Sequence, residues 1–304
     1  MTLLTMLEPV SVSPALFGVL ACVAVVSGTV DAIAGGGGLI MMPVLITTGL
    51  PPHLVLGTNK LQSIMGTTMA ASRFRRAGML SLRAGLPLAV LSLVSAVAGS
   101  LLIRRIDSHV LGLVVPLLLI AVAGYTVLSP RMDDHDIAPR LGARGFAPVI
   151  GAVGFYDGFF GPGAGQFYAT TLVSLRGMGL TRAMGLTKML NVASNLGSLI
   201  VFASGGQVLW LLGLTVGLGA MTGAWIGSRL ATRHGAAVIR PLLVTVSLLL
   251  TAKLIWAWFG GKCSAPIIVS KNALPLWGRV GGGCPRLRGH APDRASDTPP
   301  QPLP

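Results

Sequence analysis

Asp31, Lys60, Asp157 and Lys188 stand within, or at the ends of, apolar stretches of the chain. The other acidic residues, Glu8, Asp107, Asp133, Asp134, Asp136, Asp293 and Asp297, fall in termini or connections. A charge at the middle of a bilayer costs about 2.5–3.5 kcal/mol, so four facing lipid would cost on the order of 10 kcal/mol. They must be paired, hydrated or close to an interface. Two uses follow. Lys60 and Lys188 could offer positive charge to an anion, with Asp31 or Asp157 carrying a coupling proton. Alternatively, Asp caps or Asp–Lys pairs could simply lock two halves of the molecule together. Polar residues gather around both lysines: Thr58, Asn59, Gln62 and Ser63 near the first, Thr187, Asn191, Ser194 and Asn195 near the second. Asn191 and Asn195 are spaced i, i+4 and so share one helix face. Amides in hydrocarbon need partners, which fits a hydrated cavity or bonds between helices. Tyr156 and Tyr168 could border such a cavity or serve as packing aromatics.

Two glycine stretches lie between the aspartates and the lysines. One is Gly35–Gly38, containing Gly35 and Gly37; the other is Gly161-Pro162-Gly163-Ala164-Gly165. No Gly-Lys-Ser/Thr follows either, so neither is a phosphate-binding Walker loop, and no soluble strand–helix unit makes the second a dinucleotide fingerprint. Small residues let helices pack closely. An unwound break would instead expose backbone amides beside a helix N-terminus, where an anion is favoured. The histidines His53, His109, His135, His234 and His290 show no metal-ligand spacing. Cys22, Cys263 and Cys284 form no CxxC motif. The sequence thus predicts no metal, no cofactor and no catalytic residue. An intramembrane aspartyl protease using Asp31 and Asp157 is the enzymatic alternative, but Gly-x-Gly-Asp, the second motif it requires, is absent.

The elements that must position these residues are membrane helices. Of 304 residues, 52% are hydrophobic and only 11% are charged, against roughly 25% charge in soluble domains. Mean hydropathy is +0.76. Lys and Arg total 23 against 9 Asp and Glu. The excess sits mostly in short connections between apolar runs, which reads as positive-inside loops and not as a nucleic-acid surface. Apolar segments fall at about 14–34, 38–50, 59–72, 84–103 and 110–128, then at about 146–160, 164–175, 188–203, 208–228 and 241–259. Runs near 20 residues can span a hydrocarbon core of about 30 Å. The second and third runs of each set are shorter and interrupted by Gly and Pro, which suits half-membrane or re-entrant helices. The first run has no basic leader, so no cleavable signal peptide is expected.

The two sets repeat. Gly28, Asp31, Gly35 and Gly37 match Gly154, Asp157, Gly161 and Gly163; Gly57 and Lys60 match Gly185 and Lys188; Phe74 and Gly78 match Phe202 and Gly206; Gly99-Ser100 matches Gly227-Ser228. The offset drifts only from 126 to 128. The expected organisation is an all-α polytopic membrane protein: an N-terminal segment 1–13, a first membrane repeat 14–130, a linker 131–145, a second repeat 146–260, and a disordered or atypical tail 261–304. The 73–83 connection carries Arg73, Arg75, Arg76 and Arg83, whereas its counterpart near 204–207 is uncharged. The 229–240 segment carries Arg229, Arg233 and Arg240, while 104–109 has two arginines offset by Asp107. Basic loops facing the cytoplasm would make the repeats inverted, with the linker inside and both termini outside.

The blocks Gly28-Thr-Val-Asp31-Ala-Ile-Ala-Gly35-Gly-Gly-Gly38, Thr58-Asn59-Lys60-Leu61-Gln62 and Gly154-Phe-Tyr156-Asp157-Gly-Phe-Phe-Gly161-Pro-Gly occur in order. They resemble the TauE/SafE sulfite-exporter family, especially its YfcA-like inner-membrane branch, over about residues 14–259. The resemblance implies a two-repeat permease in a lipid bilayer moving a small anionic solute such as sulfite, an organosulfonate or a related sulfur compound. With no nucleotide motif, transport would run downhill or on an ion gradient. The solute would meet Lys60 and Lys188, be oriented by Asn59, Gln62, Asn191 and Asn195, and approach the breaks at Gly35, Gly37, Gly161 and Gly163. A non-transporting membrane scaffold is the remaining alternative.

Overall fold

The computed structural model describes residues 14–128 and 134–234. The segments 1–13, 241–259 and 261–304 lie outside the described residues. Those described are built from α1 (Pro14–Ala34), α2 (Gly37–Thr47), α3 (Pro52–Arg76), α4 (Leu82–Ile103), α5 (Ser108–Leu128), α6 (Ala143–Phe159), α7 (Ala164–Arg176), α8 (Leu180–Ser204) and α9 (Trp210–His234), and contain no strand. The expected all-α class is met. Among the described residues, four helices are long and apolar enough to cross a membrane: α8, α9, α4 and the Leu16–Ala34 stretch of α1.

The short helices fall where Gly and Pro interrupt the sequence. α2 and α7 have 11 and 13 residues, about half a bilayer at 1.5 Å per residue. α2 folds back on α1, with the Ser27 hydroxyl donating to the Gly37 carbonyl at 2.8 Å. α7 likewise returns towards the start of α6, where the Arg140 amide donates to the Leu175 carbonyl at 3.0 Å. The third apolar runs differ from expectation. They are not short helices but the inner parts of α3 and α8, each 25 residues long. Lys60 and Lys188 therefore stand well inside long helices instead of opening short ones. Their polar flanks hid the helix from a hydropathy reading, because those flanks face protein and not lipid.

Small residues set the packing. Gly219, Gly223 and Gly227 of α9 press on Ala21, Val25 and Thr29 of α1, a register that makes the two helices parallel. Gly154 and Gly158 of α6 press on Ser92 and Ala96 of α4 in the same way. α3 runs parallel to α9, matching Leu61 to Gly213 and Met65 to Gly217, and α4 runs parallel to α8. α3 and α8 cross antiparallel, Gly57 meeting Phe202 and Gly185 meeting Phe74. A side chain at Gly154, Gly158, Gly219, Gly223 or Gly227 would meet the facing helix's backbone and push the two helices apart, so their close approach depends on these glycines. Three pairs of glycines with left-handed backbone also occur at corresponding points: Gly35 and Gly161, Gly49 and Gly177, Gly78 and Gly206.

Exposed apolar side chains form stripes on the outer helices. Leu86, Val90 and Val94 line one face of α4, and Leu211, Leu214 and Leu218 one face of α9. In water these stripes would be a liability; against lipid tails they are the expected surface. The charge sits at the ends. Following the helix directions, Arg73, Arg75, Arg76, Arg83, Arg140, Arg144, Arg176, Arg182, Arg229 and Arg233 gather at one end, leaving Arg104, Arg105 and Asp107 at the other. At the arginine-rich end, Asp134 caps α8 by accepting from the Thr181 amide at 2.7 Å, and Asp136 accepts from the Gly179 amide at 2.6 Å and pairs with Arg182.

Candidate functional site

The buried interior is polar where the two sets of helices meet. α3 and α8 carry Lys60 and Lys188 inward, 1% and 0% exposed at the side chain. The Lys60 ammonium pairs with Asp157 Oδ1 at 2.8 Å and also donates to the Asp157 carbonyl. Lys188 pairs with Asp31 Oδ2 at 3.0 Å and donates to the Asp31 carbonyl. The pairs are crossed: each lysine reaches the aspartate of the other sequence copy. Of the two uses open from the sequence, pairing is what the geometry shows. Two of the three protons of each ammonium are engaged, leaving one for a further acceptor.

The helix breaks create room for these pairs. Gly161 has φ +103°, and a Cβ there would lie 2.8 Å from Lys60 Nζ. Any other residue would thus be strained in its backbone and would collide with the ammonium. Gly35, at φ +75°, touches the backbone of Gly165, so the break after α1 abuts the start of α7. The Gly37 amide, first of α2, donates to Asp31 Oδ1 at 3.3 Å. The N-termini of α2 and α7 therefore lie beside the ion pairs, and their unshared amides add positive potential to a formally neutral group of charges.

A cavity of about 30 Å³ lies among these groups, the scale of one or two water molecules. It is bordered by Asp31, Asn59, Lys60, Asp157, Asn191 and Asn195, and by Gly35, Gly161 and Gly163 at the breaks. Gln62 and Gly37 border a second, adjoining cavity. Lys188 borders neither and reaches the first through Asp31. The expected site residues are thus brought into one region. Asn59 Oδ1, Gln62 Oε1 and Asn191 Oδ1 are buried and find no hydrogen-bond partner among the described residues. Neither Tyr156 nor Tyr168 borders the cavities: Tyr156 donates to the Pro162 carbonyl at 2.6 Å and stacks edge-on with Phe167, while Tyr168 bonds Ser92 at 2.5 Å. Sequence reasoning missed Ser92 and Gly66, which carry no local signal and gain meaning only from what they oppose. Ser194, noted only as a polar neighbour, donates directly to Asp157 Oδ2. Among the described residues no group of His, Cys, Asp or Glu is placed to hold a metal.

A paired, polar midplane flanked by half-helices inside an apolar shell is transporter architecture. The family comparison agrees with it: the sulfite exporter TauE/SafE profile matches residues 20–254. The chain belongs to the TauE/SafE family. It is 43% identical to a probable membrane transporter protein, ORF9, of Sinorhizobium sp, over 76% of this chain and 89% of that protein. It is 41% identical to the probable membrane transporter protein YfcA of Escherichia coli K12, over 81% of this chain and 91% of that one. A probable membrane transporter protein of Haemophilus influenzae is 38% identical over 80% and 97%. No solved structure matches the chain. This TauE/SafE protein is therefore a membrane transporter and not an enzyme. The protease alternative fails on geometry as well: a catalytic dyad needs two carboxylates sharing a proton, and here each carboxylate is bound to a lysine.

Proposed function

We propose that the protein is a secondary transporter of a small anion, such as sulfite, an organosulfonate or a related sulfur compound, in a bacterial-type inner membrane. The observation that carries this reading is the cavity between the crossed Lys–Asp pairs, onto which the N-termini of two half-helices open. The formal charges cancel, so the residual potential comes from the helix ends and favours an anion. Asn59, Gln62, Asn191 and Asn195 supply amides that orient it, and Gly35, Gly37, Gly161 and Gly163 let it approach the backbone. Lys60 keeps one N–H for it, and Lys188 acts on it through Asp31. The carboxylates of Asp31 and Asp157 set how much of the lysine charge the anion feels.

The repeats are inverted: α1, α3 and α9 run against α6, α8 and α4, their respective counterparts in the other copy, as the contact registers support. The arginine-rich end faces the cytoplasm, with the linker inside and both termini outside.

A thermal-shift screen of detergent-solubilised protein against sulfite, thiosulfate, organosulfonates and small carboxylates tests the proposal. Stabilisation by one anion class is expected, growing with concentration as RT ln(1 + [L]/Kd). It should be lost in Lys188→Ala. Cooperative melting with no shift from any of these anions would argue instead for a scaffold in which the pairs only hold helices together.

A further inference from the structure

The two crossed pairs correspond in sequence but not in surroundings. The Asp157 side chain is 3% exposed, and its second carboxylate oxygen accepts the Ser194 hydroxyl. Beside it, Tyr168 and Ser92 bond each other at 2.5 Å, and the Tyr168 hydroxyl also meets Ser194. The Asp31 side chain is 22% exposed, and its second oxygen accepts the Gly37 amide at a long 3.3 Å. At the offset of 128 that relates Lys60 to Lys188, Ser194 corresponds to Gly66 and Ser92 to Ala220. The hydroxyl that binds Asp157, and that of Ser92 near it, are therefore both missing at the matching positions by Asp31. Where they would stand is the second cavity, about 20 Å³, bordered by Asp31, Gly66, Ala220, Gln62 and Ser27. Asp31 borders both cavities; Asp157 borders one.

Resting on the solute-site reading above, we propose that the pairs have divided the work. Asp31–Lys188 is the pair that opens during transport, and Asp157–Lys60 stays closed as a fixed joint between α3, α6 and α8. A hydronium ion entering from bulk water gives its proton to the Asp31 carboxylate and is left as neutral water, while Lys188 keeps its own proton. The site thereby gains one positive charge as a monovalent anion enters, so proton and anion move together with no net charge left buried. The charged groups facing Asp31 are few. α8 contributes Lys188, α3 contributes Lys60 across the cavity, and α6 contributes Asp157. α2 has no ionisable side chain, and the arginines of α7 and α9 sit in or near their C-terminal turns.

Dicyclohexylcarbodiimide tests this without any transported solute. It adds to a protonated carboxylic acid and rearranges to a stable N-acylurea, which peptide mass spectrometry locates. In the full-length protein the adduct is expected on Asp31, increasing as pH falls, and not on Asp157. Two reciprocal variants sharpen the test. Gly66→Ser restores the missing hydroxyl, with its Cβ 3.4 Å from the Ala220 side chain, and should abolish labelling of Asp31. Ser194→Gly removes the hydroxyl from Asp157 and should bring label to it. Equal labelling of both aspartates, label on Asp157 in the unaltered protein, or no label on either in acid overturns the proposal. So does Asp31 labelling that persists in a cooperatively melting Gly66→Ser protein. Because no anion is needed, a failed anion screen would remove the proposed function while leaving this result to be judged by itself.

Discussion

At the scale of single residues, the central fact is that two buried lysines form crossed pairs with a buried and a part-buried aspartate. Removing one partner of a buried pair strands a charge, at a cost of about 3–5 kcal/mol, whereas replacing both with apolar residues is far milder. Asp157→Ala should therefore destabilise strongly, and Lys60→Met combined with Asp157→Leu should melt closer to the unaltered protein than Asp157→Ala does. Asp31→Ala should cost less, because Asp31 is partly exposed. Thermal denaturation of the four proteins in one detergent checks the order; equal melting of all four would deny the pairs their energetic role. The sequence showed which four ionisable residues mattered, since each stood out against apolar surroundings and recurred at the same offset. It did not show the crossing, because which lysine meets which aspartate depends on how the two copies interlock.

At the scale of elements, glycine decides how close the helices come. Gly223 of α9 lies against the backbone of Val25 and Thr29. Gly223→Leu should cost at least about 1–3 kcal/mol through overpacking. Gly18 is exposed on the outer face of α1, and a Cβ added there would meet nothing within 4 Å, so it should accept alanine without loss. Comparing their melting temperatures tests whether the α1–α9 seam supports the fold. Outside the membrane segments, Asp136 ties the linker to α8. The Gly179 amide, and after it Arg182, holds its carboxyl below the ordinary 3.8. A lowered native pKa stabilises above the unfolded value and loses that contribution as pH falls through the native one. Asp136→Asn should then lower the melting temperature at neutral pH, and the difference should vanish in acid below 3.8. The short helices α2 and α7 were legible, because Gly and Pro mark both of their boundaries. The length of α3 and α8 was not: residues 52–58 and 180–187 are too mixed to read as apolar, although they are helical and largely covered by other helices.

At the scale of the whole molecule, arginines gather at one end and apolar stripes wrap the waist. In a cysteine-free background lacking Cys22, Cys263 and Cys284, Ala77→Cys should react only with reagents reaching the cytoplasmic face. Thr47→Cys, exposed at the other end, should react only from outside. The opposite pattern would reverse the topology. Family, helical class and membrane location were legible from composition and motif order, which carry over long stretches of chain. The direction of each helix was not, since it rests on contacts such as Gly57 with Phe202 that are far apart in sequence. The claim that joins these scales is that the paired cavity is where an anion is carried. Uptake of radiolabelled sulfite into proteoliposomes under an imposed pH gradient, with Lys188→Ala beside the unaltered protein, tests it most directly. Saturable uptake is expected that the gradient accelerates and that correctly inserted Lys188→Ala abolishes; undiminished uptake by that variant would rule the claim out.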